Sequence, residues 1–153
     1  MNMKVKKLYA DAVIPTRATG GAAGYDLSAY LKESVIIRPN AREKIPTGIC
    51  CAVPEGCAGL IYSRSGLSFR HGIHLANGVG VIDSDYRGEL CVTLHNCSER
   101  DFEIHHGDRI AQLVITPVLT PELVLCDNLD NTDRGINGFG STGIQTLSEE
   151  NNG

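Results

Sequence analysis

Short apolar stretches are what most constrain this chain. They fall at residues 35–37, 45–53, 57–62, 79–82, 90–94, 102–105 and 109–118, with Pro39-Asn40, Pro54-Glu55-Gly56 and Gly107-Asp108 among the breaks between them. Strands bounded by Gly and Pro turns read this way, whereas helices need longer stretches with apolar residues three and four apart. Residues 4–9 add a lysine-flanked first strand. In residues 22–31, AAGYDLSAYL, Tyr25, Leu27 and Ala29 alternate with Asp26 and Ser28, which predicts a half-buried strand with Asp26 on its exposed face. Only residues 63–71, SRSGLSFRH, have helical spacing, with Leu67 and Arg70 following a serine placed to cap.

The expected fold is therefore all-β, a jelly-roll-like distorted β-barrel with one short helix. A chain of 153 residues fits one domain. Residues 1–126 are expected to form its core, closed by a last core strand at 123–126. Residues 127–153, rich in Asp, Asn, Gly and Thr, are expected to form a flexible C-terminal arm.

The apolar stretches are far shorter than a membrane span, and MNMKVKKLYA has no apolar signal core. A soluble protein of the cytoplasm, or of the nucleus in a eukaryotic cell, is expected. A net charge of −4 argues against a nucleic-acid-binding surface, so any anionic ligand must be gripped by a few placed arginines. Six cysteines form no C-x-x-C pair, and most lie in apolar runs. They read as buried free thiols.

Residues 78–90, GVGVIDSDYRGEL, deliver Asp83 from one apolar run into a polar turn that a second run leaves, which reads as a β-hairpin with a carboxylate at its tip. Such a group can be held as a general base. Asp also occurs in turns because it satisfies nearby backbone, so the turn alone leaves both readings open.

Three further features suit phosphate. Arg64, Ser65 and Gly66 at the helix start combine a guanidinium, a hydroxyl and free N–H groups, though the same residues can serve as a plain cap. In the arm, RGINGFGSTG (residues 134–143) has backbone free to wrap an anion and Phe139 placed to lie on a ring, or it is simply a loose terminus. Asp26 suits a Mg²⁺ ion, which takes one or two carboxylates and keeps its waters. Gln112, polar within the apolar run at 109–118, faces either solvent or a ligand. No Cys/His set has zinc spacing.

Five segments in fixed order, AAGYDLSA (22–29), SRSGL (63–67), GVGVIDSDYRGEL (78–90), GDRIAQLVI (107–115) and RGINGFGSTG (134–143), together resemble the trimeric dUTP pyrophosphatase (dUTPase) family. The resemblance implies hydrolysis of dUTP to dUMP and pyrophosphate with Mg²⁺, keeping uracil out of DNA and supplying dUMP for thymidylate synthesis. It implies a homotrimer in which each active site draws on all three subunits. Asp83 would prepare the water that attacks the α-phosphorus. Asn77 and the backbone of Val81, Ile82 and Asp83 would read uracil, and Tyr86 would pack on the deoxyribose. From a second subunit, Arg64, Ser65 and Gly66 would grip the phosphates with Gln112 assisting, and Asp26 would hold the metal through water. The arm of a third would bring Phe139 onto uracil, with Gly140 lending backbone and Arg134, Ser141 and Thr142 reaching the phosphates. No partner beyond substrate and sister subunits is implied, neither nucleic acid nor membrane. Two rivals share the fold. A dCTP deaminase needs a glutamate placed to work on C4 of cytosine, and a non-enzymatic module would have lost Asp83, Tyr86 or Arg134.

Overall fold

The computed structural model of the chain describes residues 2–138. Two compact units are present, Met1–Thr120 and Pro121–Gly153, and every strand among the described residues belongs to the first. In chain order these are β1 (Lys4–Lys7), β2 (Tyr25–Ser28), β3 (Val35–Ile37), β4 (Arg42–Pro46), β5 (Ile49–Ala52) and β6 (Cys57–Ser63). The helix α1 (Ser65–His71) follows, then β7 (Ile73–Leu75), β8 (Gly80–Ile82), β9 (Cys91–Asn96), β10 (Phe102–Ile104) and β11 (Arg109–Pro117). They pair antiparallel in four small sheets, β1-β5, β3-β10, β2-β11-β6-β8 and β4-β9-β7. The fold is mostly β and jelly-roll-like, with α1 as the one helix among the described residues, as expected.

Alternation builds the core. In β9 the inward set is Val92, Leu94 and Asn96, all at most 1% exposed. Leu27, Ile37, Ile45, Ile104 and Leu113 close around them from five other strands. Each such aliphatic side chain contributes about 1.5–3 kcal/mol by leaving water. Asn96 is fully buried, and its amide is satisfied: Nδ2 donates to the Ile37 and Arg100 carbonyls at 2.8 and 2.7 Å, and Oδ1 accepts from Ser98 N at 2.9 Å. That bonding ties the β9–β10 turn to β3.

Several expectations are corrected. Residues 78–90 are not a hairpin: β8 pairs with β6, whereas β9 pairs with β4 and β7, so the segment crosses from one sheet to another. It is pinned at its far end, where Leu90 N donates to Ile49 O at 2.8 Å and the buried Thr47 hydroxyl donates to Leu90 O at 2.7 Å. The run at 45–53 is two strands rather than one. Gly48 breaks it at φ +68°, a conformation in which a side chain is strained, and a Cβ there would lie 2.7 Å from that of Ala12. The short strand β7 was hidden beside the Asn77-Gly78 turn.

Residues 123–126 form no strand, and Leu123, Val124 and Leu125 are at least 80% exposed. All six thiols are free, as expected, yet only Cys51 is buried, and Cys97 and Cys126 are exposed. The cap of α1 is Arg64, with no side-chain cap bond. Ser63, the serine just before it, instead accepts from Leu75 N at 2.9 Å.

Candidate active site

The sheet β2-β11-β6-β8 carries Asp26, Gln112, Val81 and Ile82 of the expected site, with Arg64 and Asp83 just past strand ends. Its cross-strand register places Asp26 (β2), Gln112 (β11) and Tyr62 (β6) side by side, with Arg64 just beyond the end of β6. Asp26 is not solvated as the alternation suggested, since its side chain is only 14% exposed. Its Oδ1 accepts from Arg64 Nε at 3.2 Å and its Oδ2 from Arg109 Nη1 at 3.1 Å. Arg64 also donates through Nη1 to the Arg109 carbonyl at 3.0 Å. Two guanidiniums against one carboxylate leave the cluster net positive, which favours an anion above it.

Arg109 is a residue that strand alternation conceals. In a regular strand it would share the inward face of Ala111 and Leu113. The register of β11 against β2 shifts between Arg109 and Ala111, so Ile110 turns into the core at 1% exposure. A bulge of this kind re-aims the residue beside it, and Arg109 meets Asp26. Its place in GDRIAQLVI was the only available signal.

Arg64, Ser65, Gly66 and Gln112 line one open pocket, together with Arg70 and His71. The first-turn N–H groups of α1 lie at Ser65 and Gly66, where a helix leaves donors without intrahelical acceptors. This half of the site can take an anion.

The other half lies around β8. Val81 and Ile82 pair with Leu60 and Gly59, and Asp83 leaves the strand exposed. The turn after it closes with Tyr86 N donating to Asp83 O at 3.2 Å. The Tyr86 hydroxyl donates to Glu89 O at 3.0 Å, and the Glu89 carboxylate accepts from Gly48 N at 2.7 Å, so the turn is anchored back to the β4–β5 corner. Asn77 lies in the turn that opens β8, near Gly80.

A single chain does not bring these halves together. Asp83 is level with Ala58 at one end of β6, and Arg64 follows the other end, roughly 20 Å away at about 3.3 Å per residue. The Arg64 guanidinium also reaches over β11 towards β2, away from β8. Of the arm residues, Arg134 lies in a local turn in which Nε donates to Asn137 O at 3.0 Å. Phe139, Gly140, Ser141 and Thr142 lie outside the described residues.

A family model for dUTPase matches residues 10–143, the whole span from the first motif to the last. The chain belongs to the dUTPase family. It is 52% identical over 141 residues to the deoxyuridine 5′-triphosphate nucleotidohydrolase of Arabidopsis thaliana, covering 92% of this chain and 82% of the plant protein. The enzyme of that name from Paramecium bursaria Chlorella virus 1 is 48% identical over 94% of this chain and 99% of its own. Among solved dUTPase structures, that of Staphylococcus bacteriophage 80alpha with dUPNHPP superposes at a TM-score of 0.85 with 31% identity, covering 94% of this chain and 99% of the phage chain. The dUTPase of phage phi11 of S. aureus gives 0.78 at 28% identity, covering 86% and 100%.

Proposed function

We propose that this dUTPase-family chain hydrolyses dUTP to dUMP and pyrophosphate by attack of water on the α-phosphorus, in a homotrimer whose sites are shared between subunits. The carrying observation is the family match across residues 10–143, which spans every expected site residue from Asp26 to Thr142. By this reaction a cytoplasmic enzyme keeps uracil out of DNA and supplies dUMP.

Phosphoryl transfer needs positioning and charge neutralisation more than covalent help, and the two halves of the site divide that work. Asp83, at the end of β8, accepts the proton of the attacking water. Backbone groups of Val81 to Asp83 and the Asn77 amide meet the acceptor-donor-acceptor edge of uracil, an arrangement that mismatches cytosine. The Tyr86 ring, fixed through its hydroxyl, covers the sugar face and leaves no room for a 2′-hydroxyl. Arg64, Ser65, Gly66 and Gln112 receive the phosphates. Arg134, Phe139, Gly140, Ser141 and Thr142 of the arm close over the nucleotide and exclude water.

The separation of the two halves along β6 supports the shared site: Asp83 of one subunit needs the cationic pocket of another. Asp26, whose two oxygens already accept from Arg64 and Arg109, would hold Mg²⁺ only through water, as suits an ion that takes few protein carboxylates and keeps its waters. Bound Mg²⁺ adds neutralisation of the phosphate charge. Among the described residues no group of three or more His, Cys, Asp or Glu is placed to hold a metal. No helix among the described residues is long and apolar enough to cross a membrane.

The test supplies dUTP, dCTP, dTTP and UTP separately with Mg²⁺ and follows pyrophosphate and ammonia. Pyrophosphate from dUTP alone is expected. Ammonia from dCTP would establish a deaminase instead, and silence with all four a binding module.

A further inference from the structure

The pocket that holds Arg64, Ser65, Gly66 and Gln112 has a further cation on its wall, Arg70. Arg70 stands one turn beyond Gly66 on the same face of α1, since residues four apart on a helix lie one above the other. A Cβ built on Gly66 meets no atom within 4 Å, so the helix surface beneath Arg70 is open. Nearby, His71 packs against Phe102 with ring centroids 5.1 Å apart, which steadies the pocket wall beside Arg70.

The guanidiniums in this region are employed differently. Arg64 and Arg109 both bind Asp26, and Arg64 also donates to the Arg109 carbonyl. Among the described residues Arg70 is exposed and no carboxylate is ion-paired with it. The Asp26 cluster therefore carries one net positive charge, too little for a triphosphate, and Arg70 doubles it. A guanidinium fork also matches two phosphate oxygens at once.

We infer that Arg70 is a phosphate-binding residue of this pocket, gripping the phosphates beyond the one that Ser65 and Gly66 hold. The assignment rests on the nucleotidohydrolase reading for the identity of the ligand. The rise of the helix sets Arg70 about 6 Å from Gly66 along the axis, the scale of a triphosphate chain. Its contribution consequently grows with the number of phosphates.

Calorimetric titration of the full-length protein with dUMP, dUDP, dUpNHpp and inorganic tripolyphosphate tests this, using wild type, Arg70→Ala and Arg70→Lys. In Arg70→Ala, affinity for dUpNHpp and tripolyphosphate is expected to fall about tenfold, with dUMP changed less than about twofold and dUDP between them. Arg70→Lys recovers part of the loss, because the charge remains and the fork does not. Equal weakening of dUMP and dUpNHpp would show a merely structural role and overturn the assignment, as would unchanged affinity for all four. Tripolyphosphate separates the two ideas. If wild type releases no pyrophosphate from dUTP while Arg70→Ala still loses tripolyphosphate, the nucleotidohydrolase reading falls and Arg70 stands as a phosphate ligand.

Discussion

Asp26 on β2 and Arg64, which follows the end of β6, are ion-paired at 3.2 Å across the intervening β11. The pair therefore bridges the sheet and holds the arginine proposed to grip phosphate beside the carboxylate proposed to meet the metal. Asp26→Asn keeps the shape and removes the charge. Half-maximal activity is expected to require about tenfold more Mg²⁺, the scale on which outer-shell partners act, with a stability loss of about 1 kcal/mol from the weakened pair. A Mg²⁺ titration of turnover checks the first, and urea unfolding the second. An unchanged Mg²⁺ requirement would leave Asp26 as an anchor for arginines alone.

Asp83 and Asp85 both stand exposed in the same turn, and only Asp83 continues directly from a strand end. Asp83→Asn is expected to lower kcat by about 10²–10⁴, the range for a positioned general base. Binding of dUpNHpp should change little, and Asp85→Asn should stay near wild type. Steady-state rates with a parallel binding titration decide it. Near-normal turnover in Asp83→Asn would remove it as the base.

Gly88 gives the Tyr86 ring its place. A Cβ on residue 88 would lie 2.5 Å from the ring Cζ, so Gly88→Ala must displace the ring and disturb its hydroxyl bond to Glu89 O. If Tyr86 excludes ribose by covering the sugar, the preference for dUTP over UTP should fall about tenfold, on the scale of a lost steric fit. The ratio of kcat/KM for the two nucleotides is the measurement. A preserved ratio would place sugar selection elsewhere.

The strands were legible because Gly and Pro mark their ends and their apolar residues alternate; β9 and β11 read almost residue by residue. Pairing was not legible. Val79 to Ile82 and Leu90 to Leu94 look like hairpin arms in sequence, but which strand each joins depends on β6 and β4, far away in the chain. Arg109 escaped for a related reason, because one bulged residue reverses which side chains face out. Leu123, Val124 and Leu125 have the composition of a core strand without its burial. The motifs named the expected site residues, but the distance between Asp83 and Arg64 follows from the antiparallel register of β6 and β8, which no local pattern encodes.

The cysteines differ in accessibility more than composition suggested. Burial of Cys51, and the partial burial of Cys91 beside Glu89, push both thiols above their ordinary range, so at neutral pH they hold little of the reactive thiolate, whereas Cys97 is exposed. Brief treatment of the native protein with iodoacetamide near pH 7.5 is expected to label Cys97 well before Cys51 and Cys91. Peptide mass mapping over time shows the order. Raising the pH should accelerate labelling of Cys51 and Cys91, with both still trailing Cys97. Simultaneous labelling of Cys51 and Cys97 would mean that β5 opens in solution.

The separation of Asp83 from the Arg64 pocket makes its own prediction. Chains carrying Asp83→Asn and chains carrying Arg64→Ala should each be nearly inactive. If every site takes Asp83 from one subunit and Arg64 from another, refolding the two together rebuilds intact sites at interfaces where each chain supplies what its partner lacks. Random assembly from equal amounts makes about a quarter of the sites intact, because each of the two positions is correctly filled half the time in a cyclic oligomer. Activity should recover to about that fraction of wild type after co-refolding, and not after mixing the folded variants briefly. A site contained within one chain gives no recovery under either protocol, since no single chain then carries both intact groups.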